Sequence, residues 1–113
     1  MKDNYDELLY IIKLGKSASD NFKILDEAKK SKNNNIIWLH LENNSSPFVI
    51  ISHGKHKEIP KNIIIKGAIL CKQNSKLKNQ KNVNVMYTTI KNVIKTDKLG
   101  EVKIRGKYNI VKV

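Results

Sequence analysis

The segment Ile36-Ile37-Trp38-Leu39-His40-Leu41-Glu42 decides the fold, because its residues separate into two faces by strict alternation. Ile37, Leu39 and Leu41 form an apolar face, while Ile36, Trp38, His40 and Glu42 share the opposite one, the period-two pattern of a β-strand. Asn43 to Pro47 supplies turn residues and Phe48 to Ser52 reads as a second short strand, so the two form a hairpin. Upstream lies an asparagine turn at Asn33, Asn34 and Asn35. Before it, a helix with Ser19 as its N-cap runs to about Ser31 and carries Phe22, Ile24, Leu25 and Ala28. Leu8 to Leu14 is an apolar strand that stops at Gly15. Downstream, Pro60 suits the first position of a helix running to about Lys76. The apolar residues of that helix, Ile63 to Ile65 and Ala68 to Cys71, cover nearly all sides, so it packs between layers or across a sheet. Val83, Val85 and Tyr87 alternate as another strand, and Val102 to Ile104 and Tyr108 to Val113 flank Arg105-Gly106-Lys107 as a closing hairpin. The expected architecture is α+β, two helices packed on a mostly antiparallel sheet.

The chain has 113 residues, which suits one domain over residues 1–113 with 1–7 as a flexible N-terminal segment. Hydrophobic residues make up 40% and charged residues 28%, a globular balance far from that of disordered chains. The longest apolar run is Leu8 to Ile12, whereas a membrane helix needs about 20 residues. With Asp3, Asp6 and Glu7 the amino terminus resembles neither a signal peptide nor a basic transit peptide. No membrane association is expected, and the cytoplasm is the expected location, with the nucleus as the other compartment open to it. Cys71 is the only cysteine, which excludes an internal disulfide and a thiolate zinc cluster.

The net charge of +12 is unevenly placed. Residues 1–42 hold seven lysines and seven acids, whereas residues 43–113 hold fourteen lysines and Arg105 against Glu58, Asp97 and Glu101. The excess therefore belongs to the C-terminal two-thirds, and a basic field of this kind favours polyanions such as a phosphate backbone.

Several arrangements bear on chemistry. Gly15-Lys16-Ser17-Ala18-Ser19 lies between a strand and a helix, where unpaired backbone N–H groups, the helix dipole, two hydroxyls and Lys16 suit one phosphate. It is not a nucleotide-hydrolysing loop, because the pattern G-x-x-x-x-G-K-[ST] needs a glycine where Tyr10 stands. Trp38 and His40 on one strand face offer, where uncovered, a surface for stacking a base, with ring nitrogens for hydrogen bonds; burial in the core is the competing reading. His53 and His56 lie among Lys55 and Lys57, whose charges oppose a metal cation. Cys71 sits in an apolar helical run and reads as a small core residue. No pair of acids is spaced for acid–base work, so no catalytic residues, metal ligands or cofactor are assigned. The basic residues Lys72, Lys76, Lys78, Lys81, Lys91, Lys95, Lys98, Lys103, Arg105 and Lys107, interleaved with Asn and Gln and with Tyr87, suit a sugar–phosphate backbone.

Together these residues resemble a known family. The strand ending at Gly15-Lys16, Asn21 in the helix, Trp38-Leu39-His40, and Ser45-Ser46 before a strand at Val49 resemble the first half of the NFACT RNA-binding domain. Ile59-Pro60-Lys61, Asn74-Ser75, Asn82 to Thr88, Lys91-Asn92-Val93, Lys95, Gly100-Glu101-Val102 and Ile110 to Val113 follow the second half in order and spacing. The resemblance implies an RNA-associated domain of the kind found in ribosome-quality-control factors and their bacterial fibronectin-binding-like relatives. Two positions depart from the pattern: Ile36 stands where an acid often precedes the tryptophan motif, and Phe48 where a histidine is often found. Peptide-tail elongation, which the larger relatives perform with other domains, is not carried over.

The leading expectation is a non-enzymatic RNA-binding module, for tRNA or rRNA in a ribosome-associated setting. Gly15, Lys16, Ser17, Ser19 and Asn21 would anchor a phosphate, Trp38 and His40 would face a nucleotide, and Lys72, Lys76, Lys91, Lys95 and Arg105 would follow the backbone. Duplex DNA is the second candidate ligand, and a protein-interaction subunit of a ribosome-associated assembly is the third reading.

Overall fold

A computed structural model describes residues 9–113. The first strand, β1 (Tyr10–Leu14), is therefore seen from Tyr10, and the expected start at Leu8 and the segment 1–7 lie outside the described residues. After it come α1 (Ala18–Lys29), β2 (Ile37–Leu41), β3 (Val49–His53), α2 (Lys61–Gln73) and β4 (Asn84–Thr89). A short 3-10 turn, Ile90–Asn92, leads into β5 (Val93–Lys95), followed by β6 (Val102–Ile104) and β7 (Asn109–Lys112).

Five strands form one antiparallel sheet in the order β1-β3-β2-β4-β7. The hairpin of β2 and β3 lies near its centre, with Trp38 opposite Ile50 on one side and Thr88 on the other. A helix packs on each face. Leu39, Leu41, Val49 and Ile51 meet Ile63, Ile64, Ala68 and Cys71 of α2. On the other face Ile36, Trp38, Phe48 and Ile50 meet Ile24 and Leu25 of α1, together with Ile90 and Val93. Each such apolar side chain contributes about 1.5–3 kcal/mol on full burial, so both layers are needed to hold the central strands. The fold class is as expected, α+β with two helices on a mostly antiparallel sheet.

Three local expectations need correction. The N-cap of α1 is Ser17, which is extended at φ −159° and whose side chain accepts from the Asp20 N–H; Ser19 lies within the first turn. The second helix stops at Gln73, because Asn74 Nδ2 donates to Leu70 O at 2.8 Å and Ser75 Oγ to Lys72 O at 2.7 Å, satisfying its last carbonyls. The closing segments do not pair with each other. β6 pairs with β5 in a separate two-stranded sheet over α1, and β7 pairs with β4 at the edge of the main sheet. The Arg105 N–H donates to Asn92 O at 2.7 Å, which keeps the chain on the small sheet to that point. Gly106, at φ +81°, then turns it away through a conformation that other residues rarely adopt.

Candidate nucleic-acid interface

A cleft of about 1300 Å³ opens where the end of β1, the start of α1, the β2–β3 turn, the segment after α2 and the β5–β6 loop meet. The turn from β1 into α1 has its shape because Asn21, buried in α1, accepts from the Phe48 N–H at 3.1 Å, while the Gly15 N–H donates to Phe48 O at 2.9 Å. These two bonds fasten the strand end to β3 from both sides. A side chain on Gly15 would collide with the Asn21 amide, so the close approach requires glycine.

The floor of the cleft is aromatic. Trp38 and His40 lie parallel with ring centroids 5.7 Å apart, and Phe48 meets each ring edge-on at 5.4 and 5.8 Å. Trp38 is 1% exposed. A base therefore cannot stack on it as the uncovered strand face suggested, because α1 and the small sheet cover that face. Its indole N–H is nevertheless unusual. Among the described residues, Trp38 Nε1 and Asn84 Oδ1 are the buried side-chain polar atoms with no hydrogen-bond partner, and only Trp38 borders the cleft. An unpaired buried donor costs about 1–3 kcal/mol. His40 is half-buried. Its Nδ1 lies 2.7 Å from Leu41 O, and because a carbonyl only accepts, Nδ1 carries the proton. Burial holds its pKa below the usual histidine value against two nearby backbone carbonyls, so near neutral pH the ring is uncharged and Nε2 is a lone-pair acceptor.

The walls are polar. Asn43, Asn44, Ser45 and Ser46 of the β2–β3 turn form one side, and Ser46 is itself fixed, its Oγ accepting from the Leu41 N–H at 3.0 Å and lying 3.4 Å from Cys71 Sγ. Cys71 is fully buried, and burial raises its thiol pKa, consistent with a packing role. Lys16, Lys76, Lys78 and Lys98 reach the cleft from three different segments, against Glu101 as the lining acid. Leu99, 58% exposed, stands at the rim beside Lys98.

Of the residues singled out from the sequence, Gly15, Lys16, Ser17, Asn21, Trp38, His40 and Lys76 converge here. Ser19, Lys72, Lys91, Lys95 and Arg105 do not line the cleft. Lys72 Nζ instead donates to Val113 O at 3.3 Å, and Lys91 is exposed on the 3-10 turn. The backbone anchor at the start of α1 is also altered. Asp20 Oδ2 accepts from the Lys16 N–H at 2.8 Å, and Ser17 Oγ is committed to the Asp20 N–H, so a carboxylate already complements the helix dipole. The cation available to a phosphate there is the Lys16 side chain. Lys78 and Lys98, which the sequence offered as members of the basic row, also line the cleft, whereas the sequence reading missed Leu99 and treated Asn43 to Ser46 only as a turn. His53 is buried against Tyr10, with ring centroids 4.8 Å apart, and its Nδ1 accepts from the Lys55 N–H at 2.9 Å.

Fold and cleft define a small basic α+β module whose opening is lined by cations, amides, hydroxyls, rings and the Glu101 carboxylate. A family model described as the NFACT protein RNA binding domain matches residues 2–112, and the chain belongs to that family. Among solved structures, the C-terminal part of the fibronectin/fibrinogen-binding protein of Streptococcus suis superposes with a TM-score of 0.79 at 23% identity. The match covers 92% of this chain and 40% of that one, and it shows a shared fold. A search of curated proteins returns no match.

Proposed function

We propose that this chain binds RNA through the cleft, with Lys16, Lys76, Lys78 and Lys98 contacting phosphates and the half-buried His40 ring contacting an unpaired nucleotide. The observation that carries the reading is the convergence of four lysines from three segments on one cleft. Family membership supports RNA as the polyanion. A tRNA or rRNA in a ribosome-associated setting is the natural substrate on this reading, because structured RNAs present single-stranded loops whose bases are free to enter a pocket. The module acts by binding, with no chemical step assigned to it.

Fluorescence anisotropy with a labelled 12-nucleotide RNA tests this. Four contacts on a single strand, at a salt slope of about 0.7 each, give a loss of about 50-fold in affinity between 50 and 200 mM salt. Lys16→Ala with Lys76→Ala should remove about half of that slope while leaving the thermal unfolding midpoint in place. Unchanged binding in this double variant would overturn the cleft as the site, and tighter binding of the matched DNA would overturn the choice of RNA. Crosslinking in native cells followed by sequencing of the bound nucleic acid would identify the RNA class.

A further inference from the structure

Three cations that do not line the cleft lie along the C-terminal half of α1 and the small sheet beside it. Lys29 stands in the last turn of the helix. Lys95, at the end of β5, holds its Nζ 2.9 Å from Asp26 Oδ1 and 5.1 Å from the centroid of the Phe22 ring. Arg105 follows β6, fixed by its backbone bond to Asn92. Three separate elements thus deliver three positive groups, with Asp26 as the carboxylate paired among them. Their crowding is felt at Lys29, whose pKa is lowered by burial first, then by Arg105 and to a smaller degree by Lys95, while Asp26 acts in the other direction. An arrangement that holds like charges together without full compensation costs free energy in the unliganded protein, and a bound anion relieves it.

The cluster is connected to the cleft along one side of α1. Ala18, Phe22, Asp26 and Lys29 recur at spacings of four, four and three, which places them on one helical stripe. Ala18 borders the cleft and packs against Gly100 of the β5–β6 loop, whereas Phe22 and Asp26 meet Lys95 of the same two-stranded sheet. The twelve residues of α1 span about 18 Å at about 1.5 Å each. At about 3.4 Å per stacked nucleotide that corresponds to about five nucleotides.

We propose that Lys29, Lys95 and Arg105 form a second phosphate-binding station, and that a single RNA strand seated in the cleft runs along the seam between α1 and the small sheet to reach it. The station rests on the reading of the cleft as the RNA site and sets a minimum length for full-affinity binding. A strand of three or four nucleotides occupies the cleft alone, whereas one of ten or more engages both ends of α1.

The test compares a 3-nucleotide with a 12-nucleotide single-stranded RNA on the full chain and on a Lys29→Ala/Arg105→Ala variant. Both residues are exposed, so the fold should hold, and circular dichroism checks it. Losing two contacts at about 0.7 decades each should weaken the 12-mer about 25-fold at 0.1 M salt and lower its salt slope by about 1.4. Binding of the 3-mer should be unchanged. Equal affinity of variant and parent for the 12-mer would refute the station, as would equal weakening of both lengths, which would signal a diffuse field rather than a local contact. The Lys16→Ala/Lys76→Ala variant separates the two ideas: it should weaken both lengths, and if only it leaves the RNA affinities untouched, the cleft reading fails on its own.

Discussion

Replacing Gly15 by alanine tests whether the mouth of the cleft is held open by one close approach. Gly15 is not in the left-handed region, so the substitution brings no intrinsic backbone strain. Its new Cβ would instead fall well inside contact distance of Asn21 Oδ1 and 2.9 Å from Asn21 Cγ. The Asn21 amide must swing away, which abandons the bond to the Phe48 N–H and leaves that buried donor unpaired, at about 1–3 kcal/mol. Crowding against the helix backbone, with Asn21 Cα 3.1 Å from the new Cβ, adds about 1–3 kcal/mol more. Gly15→Ala should therefore cost about 2–6 kcal/mol in urea-induced unfolding. Asn21→Ala removes the same hydrogen bond without the collision and should cost about 1–3 kcal/mol. The two changes share one lost interaction, so the double variant should be more stable than the sum of the single losses predicts, by about 1–3 kcal/mol. Strict additivity across the cycle would refute the claim that Gly15 acts through Asn21, and so would a Gly15→Ala protein with the parent's urea midpoint.

Two further outcomes follow from the floor of the cleft. Trp38→Phe should cost clearly less than the roughly 3–5 kcal/mol typical of large aromatic truncation to alanine, because it keeps an aromatic core residue and deletes the unpaired N–H; loss equal to that of Trp38→Ala in the same denaturation assay would show that the indole nitrogen is satisfied in solution. His40 is held neutral by burial, with a folded pKa below that of the unfolded chain. Its contribution is present above about pH 6.5 and is lost as pH falls from there through the folded pKa, since the unfolded state binds the proton more readily in that window. Thermal midpoints measured from pH 7.5 down to 5 should fall more steeply in the parent than in a His40→Gln variant, and parallel curves would contradict the assignment.

The two-face alternation of residues 36–42 made the central strand legible, and Pro60 and the apolar run after it made the second helix legible. Which face of the strand would be left open was not, because the answer depends on α1 and the small sheet folding back over Trp38, and neither is encoded locally in that segment. The small sheet itself escaped notice because β5 has three residues, too few for a period-two pattern to register, so β6, though read as a strand, was left without its partner. Without β5, the turn at Gly106 reads as an ordinary hairpin. For the site, Gly15, Lys16, Trp38 and His40 were found from local pattern, and Lys78 and Lys98 stand in the basic row without distinction from its other members until the chain brings the segment after α2 and the β5–β6 loop to one opening. The signal that could have raised Leu99 was a lone large apolar residue between Lys98 and Gly100 in an otherwise polar stretch. Ser17 rather than Ser19 is the cap because its Oγ accepts from the Asp20 N–H three residues further on, while the Asp20 carboxylate accepts from the Lys16 N–H just before it.

The aromatic floor of the cleft doubles as the packing layer between the main sheet and α1, while its walls are turns and long side chains on the surface. Tuning and scaffolding are thereby divided in space. An engineer wishing to retarget this protein would find the bottom of the opening welded to the frame, so that any redesign there endangers the whole molecule, whereas the lip behaves as replaceable trim: Asn44, Lys76, Lys78 and Lys98 can be exchanged in combination at little structural risk.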